Sequence, residues 1–329
     1  MRKLVAICLT VVFVLAVVNT VSALTMLDPG YVAQTYVTYT DSVQGIPRHM
    51  TFDNNGNLYI AQYNEQSVWR VTPQKVASQF ATGLSDAYSL AWTGGTAYGD
   101  YLYVGRSDYI SKVNSAGTVS SFVTTHNGVA SLAVDNTGNY GDYLYAGTGS
   151  QDHTYRITTS GSMTQFSNFP GWINGGTPDG LAFYNGNKYA KSMYMGTAYG
   201  ASNASVSGLF TLDTNGNATR FNNSLVQVWE IGFAGNTYFD GQLMVIGRTD
   251  YSSPVSIWSI DPSGIAREIA SSSTLNVLGL TFGNDGAMYV SEYSQSNGLI
   301  TVSRVVPEPA TFLLFSIVGG MVLRRKGGK

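Results

Sequence analysis

The feature that most constrains this chain is a sixfold repeat of one short strand. It appears as Leu58-Tyr59-Ile60-Ala61, Leu102-Tyr103-Val104-Gly105, Leu144-Tyr145-Ala146-Gly147, Met193-Tyr194-Met195-Gly196, Leu243-Met244-Val245-Ile246 and Met288-Tyr289-Val290-Ser291. The copies begin 44, 42, 49, 50 and 45 residues apart, so six of them fill the chain between its two apolar ends. Each is preceded by a second apolar strand, such as Ser89-Leu90-Ala91-Trp92 or Gly180-Leu181-Ala182-Phe183, and followed by an alternating third such as Ile257-Trp258-Ser259-Ile260. A glycine or asparagine turn then leads to a fourth, such as Ala218-Thr219-Arg220-Phe221. Four short strands at this period make one blade of a β-propeller, and six copies predict an all-β, six-bladed ring.

A ring must close or leave raw strand edges. The sixth copy supplies only three strands, the last ending at Ile300-Thr301-Val302-Ser303-Arg304. Upstream of the first copy, Tyr31 to Tyr39 is a strand without a blade. It is expected to complete the sixth blade as its outermost strand.

Charged residues make up only 12% of the chain, and Ser, Thr, Asn and 37 glycines take the surface positions they leave. The body, residues 24–306, carries about −7 and no basic patch, which removes nucleic acid as an expected partner. Cys8, the one cysteine, lies in the N-terminal apolar run, so the body has no thiol chemistry, disulfide or cysteine metal site.

Both ends read as addresses rather than fold. Arg2 and Lys3 precede the apolar run Leu4 to Val18, and Val21-Ser22-Ala23 offers small residues to signal peptidase, so residues 1–23 are expected to be a signal peptide. At the other end Pro307-Glu308-Pro309 leads into an apolar stretch from Ala310 to Leu323, then Arg324-Arg325-Lys326. Its 14 residues would span about 21 Å as a helix, short for a bilayer core of about 30 Å. Pro-Glu-Pro, a short apolar helix containing Gly319-Gly320 and a basic cluster resemble the PEP-CTERM sorting signal of Gram-negative bacteria. The resemblance covers residues 307–329 and implies transient insertion in the inner membrane, processing near Pro307-Glu308-Pro309 by an exosortase, and delivery to the cell surface or an exopolysaccharide matrix.

The run Gly45-Ile46-Pro47 to Phe52-Asp53, then Asn55-Gly56-Asn57-Leu58-Tyr59-Ile60-Ala61 and Ser67-Val68-Trp69-Arg70-Val71, resembles NHL and gluconolactonase/regucalcin-like six-bladed propellers, as does Thr177-Pro178-Asp179-Gly180-Leu181-Ala182-Phe183. In lactonase-like relatives a cation is held by acidic and amide side chains from separate blades, which implies Ca²⁺ here. Only Asp179 carries over by motif. The first blade departs from the pattern with Arg48 and His49, and a guanidinium opposes a divalent ion.

Ligands of propellers bind where the first strands of several blades converge. The polar residues leading into or beginning these strands are Arg48, His49, Asp86, Asn127, Asp179, Glu230 and Asn276. Asp179, Glu230, Asn127 and Asn276 would form an oxygen-rich set suited to Ca²⁺, or alternatively cap strand ends around a watery channel. His49, His126 and His153 show no zinc spacing, and no Gly-x-Ser-x-Gly elbow is present. The near copies Tyr98-Gly99-Asp100-Tyr101 and Tyr140-Gly141-Asp142-Tyr143, with Trp172, Tyr189 and Tyr238 in comparable loops, would either grip sugar rings or fill gaps between blades. These readings lead to an exported, surface-sorted binding or structural propeller, associated with extracellular polysaccharide. The alternative is a Ca²⁺-dependent extracellular lactonase or esterase using Asp179 and Glu230, with a quinone-dependent sugar dehydrogenase behind it.

Overall fold

The computed structural model describes residues 24–308, except 41–44, 126–127, 150–152, 168–176, 199–206, 236 and 273–275. The expected signal peptide, the apolar stretch after Pro309 and the basic cluster Arg324-Arg325-Lys326 lie outside the described residues, as do Asn127, His126 and Trp172.

Two strands, β1 (Thr25–Met26) and β2 (Tyr31–Thr40), precede six four-stranded blades. The first holds β3 (Pro47–Phe52), β4 (Leu58–Gln62), β5 (Ser67–Val71) and β6 (Ala77–Ala81). The second holds β7 (Ser89–Trp92), β8 (Leu102–Gly105), β9 (Tyr109–Val113) and β10 (Val119–Thr124), and the third β11 (Val129–Val134), β12 (Leu144–Thr148), β13 (His153–Ile157) and β14 (Met163–Gln165). The fourth runs β15 (Thr177–Phe183), β16 (Met193–Ala198), β17 (Gly208–Leu212), β18 (Ala218–Asn222), and the fifth β19 (Gln227–Phe233), β20 (Leu243–Arg248), β21 (Ser256–Ile260), β22 (Ala266–Ser271). The sixth contributes β23 (Asn276–Phe282), β24 (Met288–Ser294) and β25 (Leu299–Pro307). First strands of neighbouring blades touch all the way round, β23 meeting β3. The predicted six-bladed ring is therefore the fold.

Closure follows the expected route. β2 pairs antiparallel with β25 from Tyr31 opposite Pro307 to Thr40 opposite Leu299, making the sixth blade β2-β25-β24-β23. The Glu308 amide donates to the Gly30 carbonyl at 2.9 Å, so the ladder continues into the Pro-Glu-Pro motif. One strand escaped the sequence reading: β1 adds a fifth strand to the fifth blade, with Thr25 opposite Ser271. Asp28, 3.1 Å from Arg267 and accepting the Gly30 amide at 2.9 Å, steers the chain from one blade to the next.

The core lies between blades. Tyr59, Ala61 and Val68 of the first blade pack with Leu90, Leu102 and Val104 of the second, and Leu58, Ile60 and Val71 pack with Tyr289 and Val302 of the sixth. Second strands are covered on both faces, which is why Leu58–Gln62 and Leu102–Gly105 are buried at every residue and do not alternate apolar with polar.

Three of the loop tyrosines, Tyr98, Tyr140 and Tyr189, are spacers between blades, and the sugar-gripping role is corrected for these three, whereas Tyr238 is exposed. Tyr98, Tyr140 and Tyr189 are buried. Each hydroxyl enters the following blade, accepts the amide of Leu144, Met193 or Leu243, and donates to the carbonyl of Ile157, Leu212 or Ile260. A Tyr hydroxyl suits both tasks because it donates and accepts. The fifth blade has Phe239 at this place, stacked on Tyr31 at 5.1 Å between ring centroids.

A second contact recurs at the hairpins between third and fourth strands. Gly216, at φ 81°, sits where a Cβ would come 2.0 Å from the Phe166 carbonyl oxygen of the preceding blade, and Gly264 meets the Phe221 carbonyl in the same way. Both the backbone conformation and the close approach require glycine there.

Candidate functional site

The first strands do not enter their ladders evenly. In β11 the register slips between Val129 and Ser131, in β15 between Pro178 and Gly180, in β19 between Val228 and Glu230, and in β23 between Val277 and Gly279. In β3 the irregular stretch lies between Pro47 and Met50, and in the second blade Tyr88 immediately precedes β7. A bulge leaves one residue without a ladder partner and re-aims its side chain. The residues at these places are Arg48, Tyr88, Ala130, Asp179, Trp229 and Leu278, one from each blade.

All six line a single cavity of about 550 Å³ at the end of the ring where first strands begin and second strands end. Glu230, Asn276, Tyr293 and Gln295 share its wall. Of the residues expected at the mouth, Arg48, Asp179, Glu230 and Asn276 therefore gather there. Asp86 is corrected: it sits in a turn at φ 53°, its carboxylate accepts the Ser107 hydroxyl, and it does not line the cavity. Asn127 lies outside the described residues.

The residue after each of these positions is small in four blades, namely Ser89, Ser131, Gly180 and Gly279. Small residues let first strands approach, and the Ser89 hydroxyl donates to the Val129 carbonyl of the next blade at 3.1 Å. The other two blades place His49 and Glu230 here, and His49 Nε2 lies 3.3 Å from Glu230 Oε2. Their side chains are 13% and 7% exposed.

This corner holds polar groups short of partners. Arg48 Nε, His49 Nδ1 and Asp179 Oδ2 are sealed from solvent without a hydrogen bond, and Glu230 Oε2 has only the His49 ring beside it. Burial pushes the Asp179 carboxyl well above the usual range, opposed by the charge of Arg48. Burial does the same to Glu230, reinforced by Asp179 and opposed by Arg48. Burial lowers His49 to about 4, so its imidazole is neutral at physiological pH. The Arg48 guanidinium carbon lies 5.5 and 5.9 Å from the ring centroids of Tyr63 and Tyr88, which are themselves 4.6 Å apart. Trp229 has Arg248 5.3 Å from its ring centroid.

Chemically, the mouth combines one fixed cation, two carboxyls that hold their protons unusually long and aromatic faces from Tyr88 and Trp229. As a calcium site the set fits poorly. Among the described residues only two carboxylates, Asp179 and Glu230, line the cavity, whereas Ca²⁺ takes six to eight oxygens. The two carboxyls that do meet share their space with a guanidinium.

The sequence reading missed Tyr88, Trp229, Tyr293 and Gln295. A signal for the first two existed: each directly precedes the first-strand position that is Ser or Gly in most blades.

No protein-family model matches the chain, and no curated protein matches it. Solved structures do. A gluconolactonase from Xanthomonas campestris aligns at TM-score 0.61 and 10% identity, covering 83% of this chain and 89% of its own. A calcium-binding protein, regucalcin, from Agrobacterium tumefaciens aligns at 0.57 and 12%, covering 83% and 96%. Virginiamycin B lyase from Staphylococcus aureus aligns at 0.53 and 12%, covering 84% and 100%. At these identities the likeness is one of fold.

Proposed function

We propose that this chain is an exported binding propeller that takes a polyhydroxylated ligand of the sugar kind at the channel mouth. The observation that carries the reading is the cavity lined by one equivalent residue from each of the six blades, where aromatic faces stand beside buried polar groups short of protein partners. Sugar hydroxyls both donate and accept, so they suit a wall that offers a guanidinium N–H and carboxyl oxygens together. Tyr88 and Trp229 supply apolar faces of the kind that stack on sugar rings. The test is a glycan array, followed by exopolysaccharide pull-down and titration with the hits under tryptophan fluorescence. Binding lost in W229A and weakened at least tenfold in D179N supports the reading, and binding indifferent to both sinks it.

Delivery belongs to the ends of the chain. In this reading signal peptidase removes residues 1–23, an exosortase processes the chain near Pro307-Glu308-Pro309, and the body reaches the cell surface. Replacing these three residues by alanine should abolish surface display. Persistent display would defeat the sorting claim.

A second reading, an extracellular lactonase or esterase, draws support from the carboxyls of Asp179 and Glu230. Burial raises the proton affinity of both carboxyls, the direction of shift that suits a general acid. Lactone turnover by the wild type and its loss in D179A would favour this reading over simple binding.

A further inference from the structure

Arg48 belongs to the first strand of the first blade, beside Asp179 and Glu230 from the fourth and fifth. Its guanidinium rests near the faces of Tyr63 and Tyr88. Its charge acts on both carboxyls, and all three residues line the same cavity. In a calcium-binding propeller a positive charge between carboxyls is supplied by an ion; here one is covalently built in. A guanidinium and a divalent ion repel each other, and both would need the same two carboxyls as counter-charge.

We infer that Arg48 is the resident cation of this mouth: it fills the charge role of a divalent ion, keeps such an ion out, and leaves a pocket that binds a neutral polyhydroxylated ligand without metal. Only the last clause rests on the binding function proposed above. The Arg48 guanidinium, which lines the cavity, is then the fixed charge beside the ligand.

The experiment is calorimetric titration of the full chain with calcium chloride after dialysis against chelator. At about 1 mM, where extracellular calcium modules fill, the wild type should give no binding heat. R48E should acquire one calcium, and R48E/D179N should lose it again. R48Q covers the event that the added carboxylate prevents folding, and it should give binding heat with calcium at the concentration where wild type gives none. Wild-type calcium binding that disappears in D179N or E230Q overturns the inference. So do folded R48E and R48Q chains as indifferent to calcium as wild type, because the guanidinium would then not be what excludes the ion. With a sugar identified by the array, unchanged binding in EDTA supports the metal-free pocket, and binding restored only by calcium overturns it. If no sugar binds, the ligand reading fails while the calcium titrations still decide the role of Arg48.

Discussion

The Tyr140 hydroxyl donates to the Leu212 carbonyl at 2.6 Å, across the gap between the third and fourth blades. The same oxygen accepts the Met193 amide at 3.1 Å. Y140F keeps the ring and strands both backbone groups, a change expected to cost about 1–3 kcal/mol. Urea melts should show it as a lower midpoint with an unchanged slope. Y101F, at a half-buried tyrosine that faces Lys112, should change little. Equal midpoints for Y140F and wild type would remove the rivet from the account of stability.

Gly216 offers a second test of how blades seat on each other. G216A places a Cβ against the Phe166 carbonyl and holds alanine at a positive φ. The loss should exceed about 1 kcal/mol, because strain and collision add. G235A, at a glycine with open space around it and no positive φ, is the control expected to melt like wild type.

Glu292 makes the closing blade sensitive to pH. It is fully buried on β24, accepts the Ser303 hydroxyl at 2.9 Å, and is raised by burial from 4.5 to about 7. The folded chain therefore holds this proton longer than the unfolded chain, and its contribution to stability falls as pH rises from about 4.5 to about 7. E292Q removes that dependence. Relative to wild type the variant should gain about 3 kcal/mol between pH 4.5 and 7.5, at about 1.4 kcal/mol per pKa unit. Parallel stability–pH curves for the two proteins would refute the assignment.

Removing residues 24–40 deletes β1 and β2 and bares the edge of β25. The truncated ring should aggregate or open by hydrogen exchange in the sixth blade first. A synthetic peptide of residues 24–40, added in trans, should restore protection, because strand addition re-forms the ladder from Tyr31–Pro307 to Thr40–Leu299. A truncated chain already protected without peptide would show that β2 is dispensable.

The ring was legible in the sequence because its strands carry their own punctuation. Leu58-Tyr59-Ile60-Ala61 and its five relatives recur at a blade's length, and the strand missing after Arg304 pointed to the spare one at Tyr31. The mouth was legible only in part. Asp179 and Glu230 read alike as acidic residues near the start of a first strand, yet they hold different places: Asp179 is the counterpart of Trp229, and Glu230 the counterpart of Gly180. What the aligned repeat does not show is which of the two neighbouring residues turns into the cavity, because a bulge is decided by pairing with the neighbouring strand. Tyr98, Tyr140 and Tyr189 were visible as a recurring loop aromatic. Whether such a ring turns outward or into the next blade depends on contacts more than forty residues away.

The direction of the last strand sets which face of the disc the C-terminal end leaves from. β24 ends beside the cavity at Tyr293, and β25 runs back from there, so Glu308 and Gly30 meet on the opposite side of the disc. Anything fastened beyond residue 308 hangs from that underside. If the chain is held by this end, as the sorting proposal requires, its cup faces away from the point of attachment.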